Sequence, residues 1–156
     1  MTTLAASAPV SAVRPRVRHP TTAARIILGL VFVGSGLGGL LGKPPKLTSP
    51  PMPEGLIALF EGMVKSGYLF HLLKLTEVSV GLLLVSNRFV PLALTILAPV
   101  VVNIVAFHLF LMPAGLPVAL AVLALNVYLA WAYRDHFRSV LVMRATPSPP
   151  RTSSAP

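Results

Sequence analysis

Three ionisable residues, His71, Lys74 and Glu77, stand three apart inside the apolar run FHLLKLTEVSVGLLLV at residues 70–85. Residues three apart on an α-helix are turned by about 60° per step in net direction, so the three fall within an arc of about 120° and can face one space. A carboxylate there can exchange protons, a lysine can neutralise it or hydrogen-bond a ligand, and a histidine can do either. Ionisable groups inside a membrane span each cost a few kcal/mol and usually face a bundle interior, a partner or a water-filled cavity. Glu77 and Lys74 are therefore the candidate catalytic pair.

Other polar residues can be placed by counting depth from the ends of the apolar blocks. His71 lies four residues from a block end near Gly67, and His108 four from a block end near Met112. Glu77, Asn103 and Asn126 lie ten, nine and eleven residues from Gly67, Met112 and Gly115. Two layers are expected: an outer one of His71 and His108 with Lys74 beneath, and a middle one of Glu77, Asn103 and Asn126. His71, Asn103, His108 and Asn126 are the candidate cofactor-binding residues. Asn103 and His108 are turned by about 140° from each other on one helix, so a compact site would need help from the proline at position 99 or from side-chain reach. Two histidines and one carboxylate without a cysteine match no familiar metal spacing, and no metal site is expected. The plainer reading is that the same groups act as interhelical glue, at about 0.6–2 kcal/mol per hydrogen bond.

The elements that position these residues follow from composition. Of 156 residues 54% are apolar and 11% charged, with a mean hydropathy of +0.79, against roughly a quarter charged in soluble domains. The apolar residues fall in four blocks near 26–41, 68–85, 90–112 and 116–133, each near the ~17–25 residues that cross a bilayer as a helix. Nothing alternates as a membrane barrel requires. The expected fold is all-α: an integral membrane four-helix up-down-up-down bundle. Residues 54–65 between spans one and two read as a short extracytoplasmic amphipathic helix, either a connector or a lid, with Glu61 and Lys65 as an i,i+4 pair. Residues 22–138 form the transmembrane domain, flanked by disordered cytoplasmic tails at 1–21 and 139–156 rich in Pro, Ser, Thr and Arg.

The first block holds GLVFVGSGLGGLLG. Gly34 with Gly38, and Ser35 with Gly39, are small residues four apart that admit a close helix neighbour, chiefly within the bundle, with a dimer contact or a ligand groove as alternatives. No G-K-[ST] follows, which excludes a phosphate loop.

Charge sets orientation. Nine arginines, among them Arg25, Arg88 and Arg134, flank one side and Lys43, Lys46 and Lys65 the other, which places both termini in the cytoplasm. The net charge of +9 sits at span ends, where it meets anionic membrane lipids, and no nucleic-acid role is expected. Trp131, Tyr128 and Tyr133 read as an interfacial anchor. With no cysteine in the chain, a disulfide, thiolate nucleophile or thiolate metal site is excluded, and electron chemistry would need a partner or an organic cofactor.

KLTEVSVGLLLVSNRFVPLAL and APVVVNIVAFHLFL, preceded by GLVFVGSGL and followed by NVYLAWAYRDHFR, resemble the DoxX family of small bacterial four-helix membrane proteins over about residues 25–138. The family's lysine and glutamate three apart correspond to Lys74 and Glu77, its Arg-x-x-Pro step to Arg88 and Pro91, and its late asparagine and histidine to Asn103 and His108. The resemblance implies an inner-membrane protein linked to thiosulfate-to-quinone oxidoreductases and oxidative-stress complexes. It points to an accessory or quinone-side subunit with a soluble or membrane redox partner, as a single chain or as a homo-oligomer. A small proton-coupled transporter or channel and a structural anchor for partner proteins are the other two classes.

Overall fold

The computed structural model describes residues 18–42 and 52–137. The tails expected outside this range and the proline-rich stretch 43–51 lie beyond the described residues. Six α-helices are described: α1 (Arg18–Leu41), α2 (Glu54–Lys65), α3 (Leu69–Val85), α4 (Val90–Phe110), α5 (Leu116–Ala132) and the single turn α6 (Arg134–Phe137). A 3-10 turn, Pro113–Gly115, joins α4 to α5. Helix α1 starts four residues inside the stretch expected as a tail. Pro20 is no obstacle there, because the first-turn N–H groups of a helix have no intrahelical acceptor.

Three helical stretches, His19–Leu41, Val90–Phe110 and Pro113–Ala132, are long and apolar enough to cross a bilayer. Helix α3 has 17 residues, a length of about 25 Å against a hydrocarbon core of about 30 Å. It follows α2 across a bend of 89°. The molecule is an all-α, multi-span membrane bundle. Its exposed apolar side chains, such as Ile27, Leu30, Leu72, Leu82, Val102 and Phe110, need lipid around them.

Helix α1 packs on α3 and α5, and α4 packs on α3 and α5, so the four long helices close a ring. Buried positions recur at three- and four-residue steps on each helix, the mark of one face turned inward: Ala24, Leu28 and Phe32 on α1, Val80 and Leu84 on α3, Leu94, Leu97 and Val101 on α4, Val122 and Leu129 on α5.

The closest pair is α1 with α3. A Cβ on Gly29 would lie 2.9 Å from the Gly81 carbonyl, one on Gly81 2.7 Å from the Gly29 carbonyl, and one on Gly36 2.8 Å from the Lys74 carbonyl. Only glycine permits this approach. Gly34 and Gly38 face the other way, with nothing among the described residues within 4 Å of an added Cβ. The bundle-packing role expected for that pair therefore belongs to Gly29 and Gly36. Seven residues make almost two whole turns and return to the same face, whereas 34 and 38 lie about 160° from Gly36, on the opposite stripe.

Arg25 is buried, at 7% exposure. Its Nη1 donates to the carbonyls of Leu84 and Val85 at the end of α3. That end is closed further by the Asn87 N–H to the Leu84 carbonyl (3.2 Å), the Arg88 N–H to the Leu83 carbonyl (3.0 Å) and the Ser86 N–H to the Leu82 carbonyl (2.9 Å). With Asn87 at φ 57° this is a Schellman ending. All four terminal carbonyls of α3 are thus satisfied. In a medium without water that is a requirement, and it gives Arg25 a packing role beyond the flanking charge expected of it.

Helix α2 crosses the other end of the bundle. Leu56 is buried, and Phe60 meets Phe107 of α4 edge to face at 6.2 Å. The Glu61–Lys65 pair forms at 2.8 Å in the open, a contact worth about 0.3–0.5 kcal/mol.

Candidate functional site

Near the α3–α4 turn the bundle is filled by Leu28, Leu84, Leu94, Leu97 and Leu129, all at most 2% exposed. Toward α2 the packing opens into a cavity of about 310 Å³. Five polar side chains line it: Ser35 from α1, Lys74 and Glu77 from α3, and Asn103 and His108 from α4. The remaining wall is apolar, with Leu59, Phe60 and Met63 of α2 above and Val118, Ala119 and Val122 of α5 opposite. One side of the cavity is thus polar and the rest greasy.

Lys74 Nζ lies 3.1 and 3.0 Å from the two carboxylate oxygens of Glu77 and 3.3 Å from Ser35 Oγ. The side chains are 16% and 5% exposed. Such a pair holds only where geometry is good and the remaining polar atoms are satisfied. Here one helical step sets the geometry, and Ser35 on the neighbouring helix supplies the third acceptor. Gly39 makes room for the lysine stem: a Cβ there would lie 2.6–2.9 Å from its carbons. The Phe70 ring lies 5.8 Å from the ammonium. Ser35 and Gly39, read from sequence as small packing residues, thus seat Lys74. Their four-residue spacing was the available signal, although nothing in it names the lysine.

His108 Nδ1 is 2.8 Å from the Ile104 carbonyl. A carbonyl only accepts, so Nδ1 carries the proton and Nε2 of the neutral ring is an acceptor. The ring sits against Gly115, where an added Cβ would overlap Cδ2 and Nε2. Asn103 and His108 line the same cavity despite their angular separation, because Ile104 and Phe107 between them line it too. The cavity covers a wide arc of α4, through which α4 runs as one helix past Pro99.

Two expected members of the layers lie elsewhere. His71 is exposed and does not line the cavity. The inward face of α3 is centred between Leu73 and Glu77, which turns His71 outward by about 140°. The expected outer layer of two histidines thus reduces to His108. Asn126 is 6% exposed but belongs to the packed core one turn below Val122, where its Nδ2 has no hydrogen-bond partner among the described residues. The middle layer is therefore Glu77 and Asn103 alone. Among the described residues no group of three or more His, Cys, Asp or Glu could hold a metal ion.

At the opposite end, Trp131 is 60% exposed and Arg134 stacks over its ring at 4.8 Å. Tyr128 OH is 3.2 Å from Thr21 Oγ1, which ties α5 to α1.

A ring of apolar helices that buries an ion pair beside a small, partly open cavity defines a multi-pass helical membrane protein. A profile of the DoxX family matches residues 21–110, 90 of the chain's 156 residues, and covers Ser35, Lys74, Glu77, Asn103 and His108. The chain belongs to the DoxX family. Neither a curated protein nor a solved structure matches it.

Proposed function

We propose that this DoxX protein holds a quinone-type ring in the cavity and serves as the accessory or quinone-side subunit of a membrane redox system. The observation that carries this reading is the Lys74–Glu77 pair, with Ser35, Asn103 and His108, facing a ring-sized cavity whose remaining wall is apolar and includes Phe60 of α2. At about 310 Å³ the space is at the lower end of the roughly 300–1,000 Å³ of small-molecule sites. It suits one substituted ring, with an isoprenoid tail left to run into lipid. A bound quinone would supply two-electron, two-proton chemistry. The chain's own residues would bind the ring between Phe60, Phe107 and Val122, and would hold a proton at a Glu77 carboxylate oxygen or at His108 Nε2. Electrons would have to come from a partner, since the chain has no cysteine.

In this reading α3 is the fourth span. Helix α2 then lies in the extracytoplasmic interface as a roof, and both termini are on the cytoplasmic side of the inner membrane. The run of arginines at the α1, α3 and α5 ends toward the α3–α4 turn supports that arrangement. A purely structural role for the pair is the second reading. It is favoured by Lys74, whose three acceptors all come from the protein.

Protein purified gently in native lipid separates the two when organic extracts of wild type and Glu77→Gln are compared by mass spectrometry. A quinone near one per chain in the wild type and depleted in the folded variant is the expected result. A wild type that retains no specific small molecule would overturn the proposal.

A further inference from the structure

A second hollow, of about 570 Å³, lies at the end of the bundle that carries the α3–α4 turn, away from the Lys74–Glu77 cavity. Its wall includes Arg25 of α1, Asn87 of that turn, Trp131 of α5, and Arg134, Asp135 and His136 of α6. Two arginines against one carboxylate leave the wall positive. Arg25 is built into it, at 7% exposure. A guanidinium has five N–H donors and no acceptor. Arg25 Nη1 is engaged by the carbonyls of Leu84 and Val85. Its Nε and Nη2 carry the other three donors, which meet no acceptor among the described residues. They are not sealed in packing either, since among the described residues the one sealed side-chain nitrogen without a partner is Asn126 Nδ2. Arg134 lies over the Trp131 ring and gives one bond, at 3.2 Å, to the Trp131 carbonyl, which leaves it donors as well. Two cations with spare donors on one wall suit an anion with several acceptor oxygens, and the planar fork of arginine fits phosphate or carboxylate.

Depth decides which anion. Helix α1 begins and α5 ends at this hollow, and both belong to stretches long and apolar enough to cross a bilayer, so the hollow is at the level of the headgroups. Trp131, 60% exposed, is a residue type enriched at that level. Leu120, Ala124, Val127 and Trp131 are all exposed and follow one another at steps of four, three and four residues, so one greasy stripe of α5 runs from the bilayer interior to the rim of the hollow. Phosphate is the anion that phospholipids bring to this depth, and basic pockets between spans are where such headgroups lodge. We infer that the hollow between α1, α5 and the α3–α4 turn binds the phosphate of an anionic phospholipid. Arg25 and Arg134 donate to its oxygens, and an acyl chain lies along the α5 stripe. The site is independent of any ligand in the Lys74–Glu77 cavity.

The test titrates the full chain, stripped of lipid in a neutral detergent, with phosphatidylglycerol, phosphatidylcholine and diacylglycerol of the same acyl chains, and reads bound lipid by native mass spectrometry. Phosphatidylglycerol is expected to bind near one per chain and at least about tenfold tighter than diacylglycerol, the worth of a hydrogen bond to a charged group. Arg134 is exposed, so Arg134→Gln tests the site without disturbing the core, and it is expected to weaken phosphatidylglycerol by about fivefold. Arg88 is an exposed arginine at the same end that does not line the hollow. Arg88→Gln is expected to change the affinity by less than about twofold, because exposed charge away from the site is screened. Arg25→Lys, which keeps the charge and loses the fork, is expected to weaken binding as well, with its fold checked by circular dichroism. Equal losses in Arg134→Gln and Arg88→Gln would overturn the hollow in favour of diffuse surface charge. Phosphatidylcholine or diacylglycerol retained as well as phosphatidylglycerol would overturn the anionic headgroup as the ligand. Displacement of the lipid by soluble glycerol phosphate at matched concentration would overturn the lipid as the source of the phosphate.

Discussion

Lys74 and Glu77 illustrate how a charge pair in an apolar bundle responds unequally to single and paired replacement. Removing one partner strands the other, at a cost of about 3–5 kcal/mol, whereas replacing both by apolar residues of similar volume is close to neutral. Glu77→Leu and Lys74→Met are each expected to lower the midpoint of thermal unfolding in mild detergent strongly, and Lys74→Met/Glu77→Leu to restore most of it. If the double variant falls as far as the singles, the apolar replacements do not pack and the pair is held for its shape as well as its charge. Three-residue spacing made this pair legible in the sequence, since residues at i and i+3 on one helix meet without help from the fold. The same spacing made His71 look equivalent, because an arc has a centre that spacing alone does not locate. Ser35 and Gly39 are on another helix and could not be joined to Lys74 before the helices were packed.

At the scale of the helices, the glycines of α1 separate into two stripes with different consequences. A side chain at Gly29 or Gly36 meets the backbone of α3 and must push the helices apart, an overpacking that costs about 1–3 kcal/mol or more. Gly29→Leu and Gly36→Leu are therefore expected to lower the unfolding midpoint in detergent, while Gly34→Leu, with open space around it, leaves it within about 0.5 kcal/mol. Loss of stability at Gly34 equal to that at Gly36 would mean that α1 packs by its other face. The G-x-x-x-G pattern pointed to the outer stripe because it is the shorter repeat; the seven-residue repeat that does the packing is visible only once α3 lies alongside. Arg25 has the same history. From the sequence it is one more arginine before an apolar block, and only the fold places it on the last carbonyls of α3. Arg25→Met is expected to leave the Val85 carbonyl without its side-chain donor and cost about 1–3 kcal/mol, with Arg25→Lys recovering part of the loss.

For the whole molecule, hydropathy and loop length made the helices legible, and the short turns made α3, α4 and α5 antiparallel neighbours. The path of α2 and α3 was less so, because 12 and 17 residues joined by a sharp bend can be a roof followed by a span or the two arms of a re-entrant segment. The two arrangements differ in one outcome. If α3 crosses the membrane, α2 and the α3–α4 turn are on opposite sides; if the pair is re-entrant, they share a side. The chain has no cysteine, so a single introduced one reports its own position without background. Glu61 and Ser86 are both exposed and lie on α2 and at the end of α3. Glu61→Cys is expected to react with a membrane-impermeant maleimide in intact spheroplasts, and Ser86→Cys only after the membrane is permeabilised. Labelling of both from the same side would remove the fourth span and turn the α2 roof into part of a re-entrant wall. The reverse pattern would keep four spans and place both termini outside, against the side chosen by nine arginines over three lysines.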